Sequence, residues 1–390
     1  MPLALSICLL VLAVLGHGYF WTDLVNRMHA WSAPRKLIDA LTMACFLAFL
    51  VLPLAILAQR SPLSLFSTSE GQPQPWFLQT YPFLCSVWGF ACLVRNFVYE
   101  RVTDNPQVLT SWQREPVEFH CEEPATLFRE GLPRWLSLVP YNEILRLRVD
   151  RKRLAIPGLD HRLEGLKLAH ISDLHMTGRI ALPWFEFVSQ QVNKLNADAI
   201  FITGDIVEKE SCWPWLADSI GTLRAPLGVY FILGNHDYYI DTERTKQLLE
   251  ELSLICLSER WMSAEWRGVP VQIGGNELPW SSRAADFAGA PDASQQESLF
   301  RLAMLHSPDQ LAWARGHNVN LALAGHTHGG QLRFPVLGPI ISPSRYGTRF
   351  ACGVFRQDQT VMHVTRGVTG KTPLRWNCPP EIALLELASA

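Results

Sequence analysis

Five short clusters in this sequence carry side chains able to grip a cation: Asp173-Leu174-His175, Gly204-Asp205, Gly234-Asn235-His236-Asp237, His306 and Gly325-His326-Thr327-His328-Gly329-Gly330. Carboxylate, imidazole and amide groups together suit borderline or hard divalent ions, and no cysteine joins them to favour a softer one. In Asp173-x-His175 and His326-x-His328, an extended chain would send positions i and i+2 to the same side. Taken singly, each cluster has a plain explanation. Gly-Asn-His-Asp is good turn chemistry, and a lone histidine more often fills a core or surface position. Five clusters in a fixed order are hard to attribute to turns.

Hydrophobic patterning shows what would position them. Apolar runs of strand length at 166–171, 199–203, 229–233, 302–305 and 321–324 each end just before one cluster. Helix-like stretches at 184–195, 242–252 and 308–315 lie between several of these runs. Strands alternating with helices predict an α/β sheet buried on both faces. Ligands gather outside the carboxyl ends of such strands. At 145–149 the alternation Leu-Arg-Leu-Arg-Val predicts a half-buried strand. Arg151-Lys152-Arg153, which follows, is either a basic patch for anionic headgroups or a solvated strand face, the plainer reading. The proline-dotted segment 105–140 predicts an irregular connector. Within it, Trp135-Leu-Ser-Leu-Val139 fits a membrane interface or packing on the domain.

The first hundred residues are of another kind. Apolar runs at 3–21, 37–58 and 76–99 are long enough to cross about 30 Å of hydrocarbon as helices, the third, which carries Gln79, Pro82 and Arg95, being open also to a buried soluble helix. The first run lacks a basic leader and a cleavage site, which argues against a signal peptide. Arg27, Arg35 and Lys36 fall in one loop and Arg101, Arg114, Arg129 and Arg134 follow the third run, while 61–75 has no Lys or Arg. That bias predicts a cytoplasmic catalytic part on an inner-membrane anchor. The expected organisation is therefore a membrane module at 1–104, a connector at 105–140 and a catalytic domain at 141–390. Net charge is −2, which supplies no basic field for nucleic acid. The nine cysteines show neither zinc-ligand nor disulfide-framework spacing.

The ordered set Asp173-x-His175, Gly204-Asp205, Gly234-Asn235-His236-Asp237, His306 and Gly325-His326-x-His328 resembles the calcineurin-like metallophosphoesterase superfamily. Thr365-Arg366-Gly367 and Pro379-Pro380-Glu381 resemble its bacterial branch with N-terminal membrane helices, related to enzymes that cleave the pyrophosphate of UDP-2,3-diacylglucosamine in lipid A synthesis. Gly274-Gly275-Asn276-Glu277 departs from the acidic Gly-x-Asp-Asp turn common there. The segment 365–370 departs from a compact Arg-Gly-Leu-Gly.

The resemblance implies an α/β fold, a two-sheet sandwich flanked by helices (αββα) and preceded by the transmembrane segment. It implies two divalent ions (Mn, Fe or Zn), one on Asp173, His175, Asp205 and His328, the other on Asp205, Asn235, His306 and His326. His236 would act on the leaving oxygen with Asp237 orienting it. Gly329 and Gly330 would let backbone approach the metals or phosphate, or simply form a turn, and Arg366 would clamp phosphate through its fork of donors or form a structural ion pair. The expected function is hydrolysis of a phosphodiester or pyrophosphate bond in a lipid-linked or sugar-nucleotide substrate such as UDP-2,3-diacylglucosamine, at the cytoplasmic membrane face, with the bilayer as partner and no nucleic acid. A nuclease of the same superfamily, and a sensor with a non-catalytic phosphoesterase domain, are the competing readings. Trp213, Trp215, Trp261, Trp266 and Trp280 would line an acyl surface or, singly, pack in the core.

Overall fold

The computed structural model describes residues 2–59, 66, 77–102, 104–121, 123–287, 298–335 and 337–390. Trp76 and, Phe66 aside, the loop 61–75 that lacks Lys and Arg lie outside them. Contacts divide the chain into two compact units, Met1–Val102 with Phe334–Arg349, and Thr103–Arg333 with Phe350–Ala390.

The first unit is built on α1 (Leu3–Met28), α2 (Arg35–Leu57) and α3 (Phe77–Val102). All three hold a stretch long and apolar enough to cross a membrane. Small residues let α1 and α3 approach closely: a Cβ on Gly16 would lie 1.7 Å from the Cys85 carbonyl oxygen. Segment 334–349, which patterning left unassigned, belongs to this unit. Asn26 holds it by donating Nδ2–H to the Ile340 carbonyl (2.8 Å) and accepting from the Ser342 N–H (3.0 Å).

The second unit is a sandwich of two sheets. One has seven strands in the order Leu109–Glu118, Arg146–Ile156, Glu381–Ser389, Lys167–Ile171, Ala199–Thr203, Val229–Ile232, Ile255–Cys256. The other has six, in the order Gly353–Gln357, Thr360–Val364, Leu321–Ala324, Phe300–Leu305, Val269–Asn276, Trp261–Trp266. The strands that lead into the five clusters pair in parallel with one another, Lys167–Ile171 to Ala199–Thr203 to Val229–Ile232 in one sheet and Phe300–Leu305 to Leu321–Ala324 in the other. Three apolar layers account for the stacking. Leu154, Phe201, Tyr230, Val271, Leu302 and Leu323 fill the space between the sheets. Ile200, Phe231, Trp184 and Leu249 pack helices on the outer face of the first, and Leu305, Phe355, Leu311 and Ala314 do so on the second. Helix, sheet, sheet, helix is the αββα order expected.

Two local expectations are corrected. Leu109–Glu118, inside the expected connector, is an edge strand antiparallel to Arg146–Ile156. Pro116 is tolerated there because an edge strand does not need every N–H for pairing. Lys152 is no surface charge. Its ammonium is buried, 2.8 Å from Glu381 Oε1, and the basic-patch idea loses its central residue.

Candidate active site

Each cluster begins within three residues after a strand, at its carboxyl end. Asp173, His175, Asp205, Asn235 and His236 come from the seven-stranded sheet, and His306, His326 and His328 from the six-stranded one. The site thus lies where the carboxyl ends of both sheets meet. The backbone there is not extended, as the i, i+2 argument assumed. Asp173, His175, Asp205, His326 and His328 have φ of 54°, 46°, 52°, 69° and 51°. Left-handed backbone costs a non-glycine residue of order 1–3 kcal/mol and persists where the surroundings enforce it, commonly at functional sites. The turns, not strand alternation, aim these side chains inward.

Two ligand groups form around Asp205. Asp173, His175, Asp205 and His328 offer atoms within 4.8 Å of one another, and so do Asp205, His306 and His326. Asn235 joins the second group, its Oδ1 2.9 Å from His306 Nε2. All these side chains are buried or nearly so.

The hydrogen bonds fix which ring nitrogens carry protons. His175 Nδ1 lies 2.5 Å from Glu208 Oε1, His306 Nδ1 2.8 Å from the Thr203 carbonyl, and His328 Nδ1 3.4 Å from the Thr369 carbonyl. Each acceptor assigns the proton to Nδ1 and leaves a lone pair on Nε2. The Nε2 atoms of His175 and His328 then face one another at 3.3 Å, and that of His306 faces the Asn235 and Asp205 oxygens, the latter at 3.5 Å. Acceptor meets acceptor repeatedly. Asp205 Oδ2 and His326 Nε2 are buried without any hydrogen-bond partner. Among neutral protein groups that arrangement is repulsive, and a divalent cation resolves it.

Electrostatics agree. Burial holds His306 and His175 down to about 4 and His328 to about 3, so these imidazoles are neutral donors of electron pairs. Burial, and then the Asp173 carboxylate, push Asp205 well above the usual carboxylate range. The residues present therefore fit divalent metal.

His236 is the most open of the site histidines, at 15% side-chain exposure. The structure corrects its expected partner. Asp237 accepts from the Gly234, Ile206 and Val207 N–H groups at 2.7–2.9 Å and so braces the two loops. His236 Nδ1 instead lies 3.0 Å from Glu208 Oε1. Glu208, three residues beyond Asp205, was missed because patterning alone does not say which acid after the Gly204-Asp205 turn points inward. Burial raises the Glu208 pKa, but the bonds to His175 and His236 outweigh it and hold it well below the carboxylate range.

The residues expected to approach the phosphate also have protein partners. Arg366 Nε is 3.7 Å from the buried Glu381 Oε2, an ion-pair role. Gly329, at φ 66°, makes room for Arg366: a Cβ there would lie 2.7 Å from Arg366 Cγ. Gly330, at φ 83°, completes the same tight turn. Of the tryptophans, Trp280 packs on the site, its ring 4.7 Å from that of His326 and 5.4 Å from that of His306. Trp266 is core, Trp213 and Trp215 pack against the core, and Trp261 lies against Phe287. Glu277, in the turn that departs from the expected Gly-x-Asp-Asp, braces the loop entry by accepting from the Leu233 N–H (2.6 Å) and the Tyr238 hydroxyl (2.7 Å).

Sequence reasoning also missed a buried chain behind the site. The Lys152 ammonium can only donate, so His363 Nε2, 2.9 Å away, accepts. His363 Nδ1–H then donates to His170 Nδ1 (2.8 Å), and His170 Nε2–H to Thr203 Oγ1 (2.9 Å). Thr203 is the residue whose carbonyl orients His306. Breaking a buried ion pair costs about 3–5 kcal/mol, so Lys152→Met is expected to lower stability by that order. Chemical denaturation measures it, and an unchanged midpoint contradicts the chain's importance.

A cation-shaped cluster of carboxylates and imidazoles at the mouth of an αββα sandwich defines a metal-dependent phosphoesterase. The sequence comparisons give the family: residues 166–330 match the calcineurin-like phosphoesterase model. The chain is 30% identical over 241 residues to the metallophosphoesterase YkuE of Bacillus subtilis, covering 59% of this chain and 82% of that one. It is 27% identical to the phosphodiesterase YaeI of Escherichia coli, covering 57% and 82%. It is 24% identical to the UDP-2,3-diacylglucosamine pyrophosphatase LpxG of Chlamydia muridarum, covering 61% and 88%. This chain belongs to the calcineurin-like metallophosphoesterase family and is a phosphoesterase.

Proposed function

We propose that the protein hydrolyses a phosphodiester or pyrophosphate bond in a lipid-linked substrate at the cytoplasmic face of the inner membrane, with two divalent ions. The observation that carries the chemistry is the set of opposed acceptors around Asp205, which divides into two ligand groups sharing that carboxylate. Asp173, His175, Asp205 and His328 would hold one ion, and Asp205, Asn235, His306 and His326 the other. Such ions, when bound, activate water and neutralise charge on phosphate oxygens. Phosphoryl transfer needs little else beyond alignment. The chain's own groups supply that. Glu208 fixes the His175 ring and sits beside His236, whose partly open imidazole can meet the leaving oxygen and give it a proton. Trp280 excludes water from the His306 and His326 side.

The lipid part rests on two supports. Three apolar helices tie the hydrolase to a bilayer, which raises effective concentration only for a membrane-held substrate. The LpxG relative is named for an acylated sugar nucleotide. The full-length protein in nanodiscs is expected to hydrolyse such lipids, UDP-2,3-diacylglucosamine among them, with higher kcat/KM than their soluble headgroup analogues. Equal efficiency on the soluble compounds, or faster cleavage of single-stranded DNA, defeats the reading. For orientation, a phosphatase-type reporter fused after residue 104, active only outside the membrane, is expected to be silent. A strong signal reverses the topology.

A further inference from the structure

The catalytic unit exposes an apolar turn that the metal chemistry does not use. In and just after the short helix Leu132–Ser137, Leu132, Trp135, Leu138 and Tyr141 are 69, 72, 63 and 85% exposed. Leu132, Trp135 and Leu138 recur every third residue and so share one side of the turn. Pro133 is buried, so the turn is seated on the domain rather than loose. Large apolar side chains grouped this openly mark a contact with protein or lipid.

The surroundings favour lipid. Tryptophan and tyrosine settle at headgroup level, apolar ring inward and polar atom outward. Arg129, Arg134 and Lys371, all exposed, outnumber the neighbouring Glu130. Arg134 lies on the helix itself, and Arg129 and Lys371 are joined beside it: the Arg129 N–H donates to the Arg179 carbonyl (3.0 Å), and the Arg179 guanidinium donates to the Lys371 carbonyl. Cations around an apolar aromatic centre are the composition of an interfacial segment on an anionic surface.

The turn is also fastened to the active site. Asn142 donates to the Pro373 carbonyl (2.9 Å) and accepts from the Arg375 N–H (3.0 Å), and the Glu143 N–H donates to the Arg375 carbonyl (2.8 Å). The fully buried Arg375 reaches back through Nη1 to the His328 carbonyl (3.4 Å). One buried arginine therefore separates the exposed turn's anchor from a metal-ligand loop.

We propose that this turn is a bilayer-docking element. Leu132, Trp135 and Leu138 enter the boundary between headgroups and acyl chains of an anionic leaflet, Arg129, Arg134 and Lys371 meet its phosphates, and the anchor through Arg375 presents the His328 side of the site to that surface. The proposal rests on the reading that the enzyme works at a bilayer, and it assigns the residues that do so.

The test uses full-length protein in nanodiscs of phosphatidylglycerol and phosphatidylcholine, with and without bromine on the upper acyl carbons. Bromine quenches tryptophans in contact with it. The wild type is expected to lose a component of fluorescence that Trp135→Phe no longer has to lose. Equal fractional quenching in both overturns the proposal, as does a change in oligomeric state without a change in quenching, which would make the turn a protein contact. Leu132→Asp combined with Leu138→Asp is expected to lower kcat/KM on a bilayer-held phosphodiester by about tenfold or more, leaving a soluble chromogenic phosphodiester unaffected. An equal loss on both substrates overturns it too. Docking and substrate choice fail separately. A Trp135 quenching component with no preference for lipid substrates keeps the docking and defeats the substrate reading, whereas a lipid preference untouched by the double variant does the reverse.

Discussion

Asp205→Ala is expected to abolish turnover and to empty the site of metal. Asp205 is the one side chain in both ligand groups, buried between His175 Nε2 at 3.3 Å and His306 Nε2 at 3.5 Å. Its Oδ1 also accepts the His236 N–H at 2.8 Å, so it ties the metal site to the loop carrying His236. A shared carboxylate lowers the repulsion between two cations about 3.5–4 Å apart. Methyl in its place removes that charge and leaves opposed imidazole lone pairs. Loss of activity beyond about 10³-fold, with metal content falling in parallel, is the expected outcome. Elemental analysis of the purified variant alongside a chromogenic phosphodiester assay measures both. An active, metal-replete variant would show that Asp205 does not bridge.

His236→Ala is expected to separate binding from chemistry. His236 lies outside the two groups that share Asp205 and forms a separate cluster with His175 and Glu208, and its ring is the most accessible of the site histidines. Its Nδ1 lies 3.0 Å from Glu208 Oε1, a carboxylate that its two histidine neighbours hold well below the usual carboxylate range, and this contact fixes the ring in the site. A lost general acid costs about 10²–10⁴ in rate. The variant should therefore keep its metal and its KM while kcat falls by about 10²-fold or more. The loss should shrink for a substrate whose leaving group needs no proton, such as a nitrophenolate. The same loss for good and poor leaving groups would make His236 a binding residue instead.

Much of this site was legible because strand ends and their polar residues are local in sequence. The apolar runs 199–203 and 321–324 coincide with strands Ala199–Thr203 and Leu321–Ala324, since a strand buried on both faces has to be continuously apolar. The metal-competent residues follow such runs directly, and the order of the five clusters carried the rest. What stayed hidden depends on side chains choosing among neighbours. Asp237 and Glu208 are both acids near His236, and only the folded loops show that backbone N–H groups claim Asp237 and leave Glu208 to the histidines. Lys152 reads as one of three basic residues on a strand, and its burial against Glu381 and His363 depends on partners more than 200 positions away. Leu109–Glu118 was obscured by Pro116, which marks a break in a central strand but not at an edge.

The central claim is a pair of divalent ions bridged by Asp205. Its most direct test is the metal content of the full-length protein, purified without chelator and reconstituted with Mn, Fe or Zn, followed by location of the ions through their anomalous scattering. The account predicts two ions per chain about 3.5–4 Å apart, one beside Asp173, His175 and His328 and one beside Asn235, His306 and His326, with Asp205 between them. A single ion in the fully active enzyme, or two ions that do not share Asp205, would contradict it.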